Sequence, residues 1–209
     1  MEINEEQLAF YFGIGLAITQ WAGVEEQLFW IQRACFGDGD DATYAGAFFA
    51  VDSFRTKLQV TDSCMSQRFF DTPHFADWRA LKSRAEAEAS SRNKLAHWWV
   101  MTRQNAEPGQ RMMLLPRRVR TSAKQQAETP DLFSHAICLR DVAEFRLRFC
   151  ALRTAFENLH CRMSGRKEMF PKETEQPKGA PTVDELHAQI YHYLPQQRGP
   201  LTTSTPSVV

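Results

Sequence analysis

Helical periodicity dominates this chain, and its last long stretch shows it most plainly. Val142, Phe145, Phe149, Leu152, Phe156 and Leu159 recur at intervals of three, four, three, four and three. Large apolar side chains at that spacing form one face of an α-helix, and other helices must cover that face. Three more regions repeat the pattern. Ile14, Ala17, Ile18, Trp21, Val24, Leu28, Ile31 and Cys35 predict a helix from residue 4 to about 36, with Asn4 as cap and Gly37 to Asp40 as stop. Gly13, Gly15 and Gly23 lower its propensity and suit a bend or a close helix contact. Val51, Phe54, Leu58, Met65 and Phe69 predict a second helical region over 41–69, restarted by Asp52 after a break. Thr72-Pro73 then turns the chain into a third helix through Trp78, Leu81, Ala85, Leu95 and Trp99.

After Trp99 the period changes. Trp98 to Thr102 and Arg111 to Leu115 flank Glu107-Pro108-Gly109-Gln110, two short runs around a turn, which predict a small hairpin. A polar loop through residue 131 leads to the final helix, and Gly165 stops it. The expected fold is all-α: an up-and-down four-helix bundle with a small β-hairpin insertion between the third and fourth helices. Residues 1–165 form the folded domain. Residues 166–209 hold six of the ten prolines and much Thr and Ser, which predicts a largely disordered tail with one short helix near 182–194.

Composition narrows the function classes. No apolar run approaches the ~20 residues of a membrane span, and Met1 to Glu6 is acidic where a signal peptide is basic, so no membrane association and a cytoplasmic location are expected. Five scattered cysteines without a C-x-x-C pair exclude a cysteine-rich zinc site, and four of them lie among apolar neighbours in helical segments, which predicts reduced core thiols. Twenty-five basic residues balance twenty-five acidic ones. The charge is nevertheless uneven: 1–41 carries eight acids and one base, whereas 103–124 carries six bases and one acid. A local anion-binding face is compatible with that pattern; a whole-protein polyanion sink is not.

The strongest local signal is Ser91-Arg92-Asn93-Lys94-Leu95-Ala96-His97, at the end of the third helix. Histidine exchanges protons near neutral pH, and arginine presents a permanently charged fork that matches phosphate oxygens. Asn93 precedes His97 by four residues, on the same helical face, where it can orient the imidazole or a phosphate. Arg92 lies five positions before His97, ~140° around the helix, so one helix presents this pair poorly. The bland alternative is an Arg92 ion pair with Glu88 or with an acid of the first helix, with Asn93 and His97 bonded to loop backbone.

Arg92-Asn93-x-x-x-His97 resembles the R-N-x-x-x-H signature of HEPN-domain proteins, a largely prokaryotic all-α family, and the likeness extends over roughly residues 4–163. Chance produces such a match in about 1% of chains of this composition. The resemblance implies a metal-independent endoribonuclease of HEPN type, a toxin or defence effector with no cofactor. Arg92, Asn93 and His97 would be catalytic, and two motifs would face each other across a homodimer cleft. It equally implies the family's silent members, dimeric binding or scaffold proteins. RNA and an antitoxin-type protein are the partners that follow from the first reading.

Other candidates are secondary. Glu25 is a candidate orienting acid for His97, and Arg111, Arg117, Arg118 and Arg120 are candidate RNA-backbone contacts. Trp98 or Trp99 can stack a base or anchor the hairpin. His187 and His192 lie five apart rather than at metal-binding spacing, and no metal site is expected. A first helix of 33 residues would extend ~50 Å, and Phe10, Phe12, Phe29 and Trp30 lie partly off its stripe, which predicts a homodimer that buries some of them.

Overall fold

The computed structural model describes residues 5–37, 39–103, 111–116 and 132–166. Helix α1 spans Glu5–Ala34, with Glu5 and Glu6 in its first turn and Arg33 in its last, the signs that suit the helix dipole. Phe10, Gly13, Ala17, Trp21, Val24, Leu28 and Ile31 face the core at gaps of three or four. Gly37 adopts φ +73°, and Arg33 ties the turn by donating to the carbonyls of Gly37 and Gly39 and pairing with Asp41 at 2.6 Å.

The second helical region is two helices. Helix α2 (Asp41–Phe49) starts where the Asp40 carboxylate accepts from the Ala42 and Thr43 amides, and α3 (Phe54–Phe69) starts at Ser53, one residue after the expected restart. Thr72 caps α4 (Pro73–His97), with Pro73 in the first turn, where its missing N–H costs nothing. The final helix, α5 (Leu139–Met163), begins where Asp141 accepts from the Cys138 amide at 2.7 Å and ends before Gly165 at φ +65°. All six residues of its 3–4 stripe are buried, with Phe149, Leu152, Phe156 and Leu159 at 0% exposure. Each such side chain contributes ~1.5–3 kcal/mol by leaving water.

The two expected strands pair, each one residue shorter than its run, and a third strand joins them. Strands β1 (Trp99–Thr102) and β2 (Met112–Leu115) pair antiparallel, Trp99 opposite Leu115 and Thr102 opposite Met112. A two-residue strand β3 (Ile137–Cys138) adds to the other side of β2, giving the order β1-β2-β3. Four buried residues, Met112 to Leu115, fill the middle strand, and Glu6 of α1 accepts from the Arg111 and Met112 amides at 3.0 and 3.3 Å.

Contacts between the four long helices set their directions. Trp21 packs tilted against Phe54, Glu25 pairs with Lys57, Gln32 accepts from Thr61 and Cys35 meets Met65, so α1 and α3 run the same way. Gly13 lies against Leu139 and Val142, Trp21 against Phe149 and Trp30 against His160, so α5 shares that direction. Helix α4 opposes them: Asp62 bonds Trp78 and Lys82, and Trp78 stacks on Phe156 while Glu88 pairs with Arg148. Strict up-and-down alternation therefore fails between α1 and α3. The reason is α2, which takes the chain back along α1 before α3 begins.

Two further expectations change. Phe10 and Phe29 are buried inside their own chain and Trp30 stacks on His160; of the four off-stripe aromatics only Phe12 is exposed, at 48%. Of the five free cysteines Cys161 is buried, Cys35, Cys64 and Cys138 are half-buried, and Cys150 is exposed. Burial pushes the Cys35 thiol up to about 12, with Cys64 adding to the shift and Arg68 opposing it. Asn4, the loop arginines Arg117, Arg118 and Arg120, and the tail with its expected helix near 182–194 lie outside the described residues. Among the described residues no helix is long and apolar enough to cross a membrane.

Candidate functional site

Helix α4 stops at His97 because Trp98 turns to extended backbone (φ −83°, ψ 154°) to begin the sheet; its amide still donates to Lys94 O, closing the last helical turn. This termination leaves the last residues of α4 at an edge. Asn93 and His97 are exposed and line one open cleft of about 770 Å³. Its other walls include Phe54, Arg55 and Leu58 from α3, and Glu86, Lys94 and Trp98. The Lys94 ammonium lies 5.5 Å from the centre of the Trp98 ring.

Arg92 is not among the residues lining that cleft. It belongs to the side of α4 that carries buried Glu88, Ser91 and Leu95. Its Nη1 donates to Asn93 Oδ1 at 3.2 Å, and its buried Nε has no hydrogen-bond partner. The alternative Arg92–Glu88 ion pair does not form. Glu88 Oε1 lies 3.0 Å from Arg148 Nε of α5, and Arg148 also pairs with Glu144 at 2.8 Å. The α4–α5 contact thus supplies Glu88 with a partner that sequence spacing does not reveal.

Glu25 is committed elsewhere. Its Oε1 accepts from Trp21 Nε1 at 3.0 Å, and its Oε2 pairs with Lys57 at 3.0 Å, with the Lys57 side chain only 6% exposed. The Trp21 ring packs 4.6 Å from Phe54, centroid to centroid, and Phe54 is the cleft wall. Glu25 therefore braces the helices behind the cleft and holds no residue of the motif. Arg111 lies at the far end of the hairpin, beside Thr102 and Arg103, not in the cleft. Trp98 is half-buried at the cleft, while Trp99 is 57% exposed on the edge strand.

Sequence reading missed Arg55 and passed over Lys94 as a cleft cation. The signal for Arg55 was a cation just after the Ser53 cap, in a helical turn without any acid. Two other cavities hold no motif residue. One, about 290 Å³, is apolar and lies among Phe29, Phe36, Tyr44 and Phe48; the other, about 800 Å³, lies at the ends of α1 and α5 around Trp30, Glu157 and His160. Among the described residues no cluster of three or more His, Cys, Asp or Glu side chains is placed to hold a metal ion. The chain matches no protein-family model, no curated protein and no solved structure.

Proposed function

We propose that this protein is a HEPN-like helical bundle that cleaves RNA without a metal ion, as a cytoplasmic homodimer of the toxin or defence-effector kind. The observation that carries the reading is the exposure of Asn93 and His97 together in one open cleft with Lys94 and Arg55. A buried histidine packed under apolar side chains would instead speak for a structural role. In the reaction His97 takes the proton of a 2′-hydroxyl, whose oxygen attacks the adjacent phosphorus. The 2′-O–P bond forms, the P–O5′ bond breaks, and the 5′-oxygen takes a proton from the second motif of the dimer. Arg92 meets the phosphate oxygens across that dimer, because within its own chain it turns towards Asn93.

Dimerisation has a surface to use: Leu8, Tyr11 and Phe12 are exposed on the first turns of α1. A second reading, a silent dimeric scaffold that binds its partners without cleavage, is favoured by one observation, the absence of Arg92 from the cleft lining. Cleavage in excess EDTA decides between them. RNA should be cut to a 2′,3′-cyclic phosphate or its hydrolysis product, DNA should survive for want of a 2′-hydroxyl, and His97→Ala should slow the reaction by ~10²–10⁴-fold. A folded dimer that cuts none of a varied RNA set would establish the scaffold reading; cleavage that requires a metal and survives His97→Ala would refute the mechanism. An antitoxin-type protein, on this proposal, would block the same cleft.

A further inference from the structure

The cleft continues well beyond His97. Asp62 of α3 bonds Trp78 and Lys82 of the opposing α4, and Arg55 lies seven residues earlier in α3, which sets it opposite about residues 85–89 of α4. His97 is about ten residues further along, ~15 Å at 1.5 Å per residue. The α3 wall thus carries Arg55 at one end of the cleft, and the α4 wall carries Lys94 and then His97 towards the other, with Trp98 beside His97. Arg55 is exposed, and no carboxylate pairs with it among the described residues. It also sits in the first turn of α3, where the helix dipole disfavours a cation and an anion gains from both. Glu86 is the single acid lining the cleft, and no ion pair joins it to Arg55.

We infer that the cleft holds one RNA strand along α4, with the bond to be cut at His97 and a flanking phosphate on Arg55. This rests on the ribonuclease reading and adds to it a strand-binding residue remote from the bond to be cut, Arg55. A groove between helices packed ~8–10 Å apart admits one strand and excludes an A-form duplex. A cationic track with an aromatic side chain at one end is the arrangement that holds single strands without reading sequence. Arg55 is too far from His97 to touch the reacting phosphorus, so its contribution is binding and not chemistry.

The test compares wild type and Arg55→Ala on two substrates in EDTA. One is a dinucleoside monophosphate; the other is a decamer with one ribonucleotide linkage in an otherwise 2′-O-methyl strand. Arg55→Ala should raise KM for the decamer about tenfold, keep kcat within about twofold, lower the salt slope by ~1 and leave the dinucleotide unchanged. Arg55→Lys should restore most of the affinity. Equal losses on both substrates, or an unchanged decamer, would overturn the inference. If wild type cuts neither substrate, the ribonuclease reading fails, and fluorescence anisotropy of a fully 2′-O-methyl decamer tests Arg55 alone. Binding that Arg55→Ala weakens about tenfold supports the strand site; binding that it leaves unchanged, or no binding at all, overturns it.

Discussion

Arg92 Nη1 donates to Asn93 Oδ1 at 3.2 Å, so the arginine of the motif folds onto its neighbour, and only Asn93 and His97 of the three line the cleft. The geometry follows from helical pitch, which separates Arg92 from His97 by ~140°. If each chain's Arg92 serves the other's His97, the two residues need not come from one molecule. Mixing Arg92→Ala and His97→Ala proteins should then raise cleavage above that of either variant alone, through heterodimers that set one His97 base against one Arg92, though below wild type because the second His97 is missing. Mixtures that stay as inactive as the separate variants would show that Arg92 acts within its own chain.

Two glycines of α1 should respond in opposite ways. A Cβ on Gly15 meets nothing within 4 Å, so Gly15→Ala removes backbone freedom from a helix interior and should stabilise by ~0.5–1 kcal/mol. A Cβ on Gly13 would lie 3.2 Å from Leu139 Cδ1, where α1 approaches the start of α5. Gly13→Leu should cost ~1–3 kcal/mol through overpacking. Urea melts of the two variants give the comparison directly.

The Asp62 carboxylate accepts from Trp78 Nε1 at 2.8 Å and from Lys82 at 2.7 Å, joining α3 to α4. Burial pushes this carboxyl up, but the Lys82 and Trp78 bonds outweigh it and hold it below the usual 3.8. The folded state therefore binds the proton less readily than the unfolded chain. The stabilisation is present above the unfolded value and is lost as pH falls through the folded one. Asp62→Ala leaves a fully buried indole N–H unpaired and should cost ~1–3 kcal/mol at neutral pH. The gap between variant and wild type should narrow below pH 3.8.

His160 stacks on Trp30 at 6.0 Å between ring centroids, and burial, with the Arg166 charge, pushes its imidazole below 6.5. Here the unfolded chain binds the proton more readily, so stability falls as pH drops from 6.5 towards the folded value. His160→Phe keeps an aromatic ring against Trp30 and should flatten that part of the stability curve. Thermal melts between pH 7.5 and 5 check it: a variant whose Tm falls as steeply as wild type would remove His160 as the cause.

The sequence alone determined where most helices lie, because a 3–4 apolar stripe and a cap are local features. Val142 to Leu159 specify α5, Thr72-Pro73 starts α4, Gly37 and Gly165 close their helices, and the switch at Trp98 ends α4 beside His97. Even the pairing of Trp99–Thr102 with Met112–Leu115 was legible from the change of period after Trp98, while Glu107 to Gln110 lie outside the described residues. What one helix presents to another is not local. That α1 and α3 run the same way depends on α2 folding back between them, and Ile137-Cys138 is too short to show a strand period until β2 pairs with it. Glu25 and Lys57 are 32 residues apart in the chain, and Arg55 and His97 are further apart still. Packing α3 against α1 engages the first pair and takes Glu25 away from the motif. Packing α3 against α4 sets Arg55 into the cleft of Asn93 and His97, with the Asp62 bonds to Trp78 and Lys82 holding the register between those two helices.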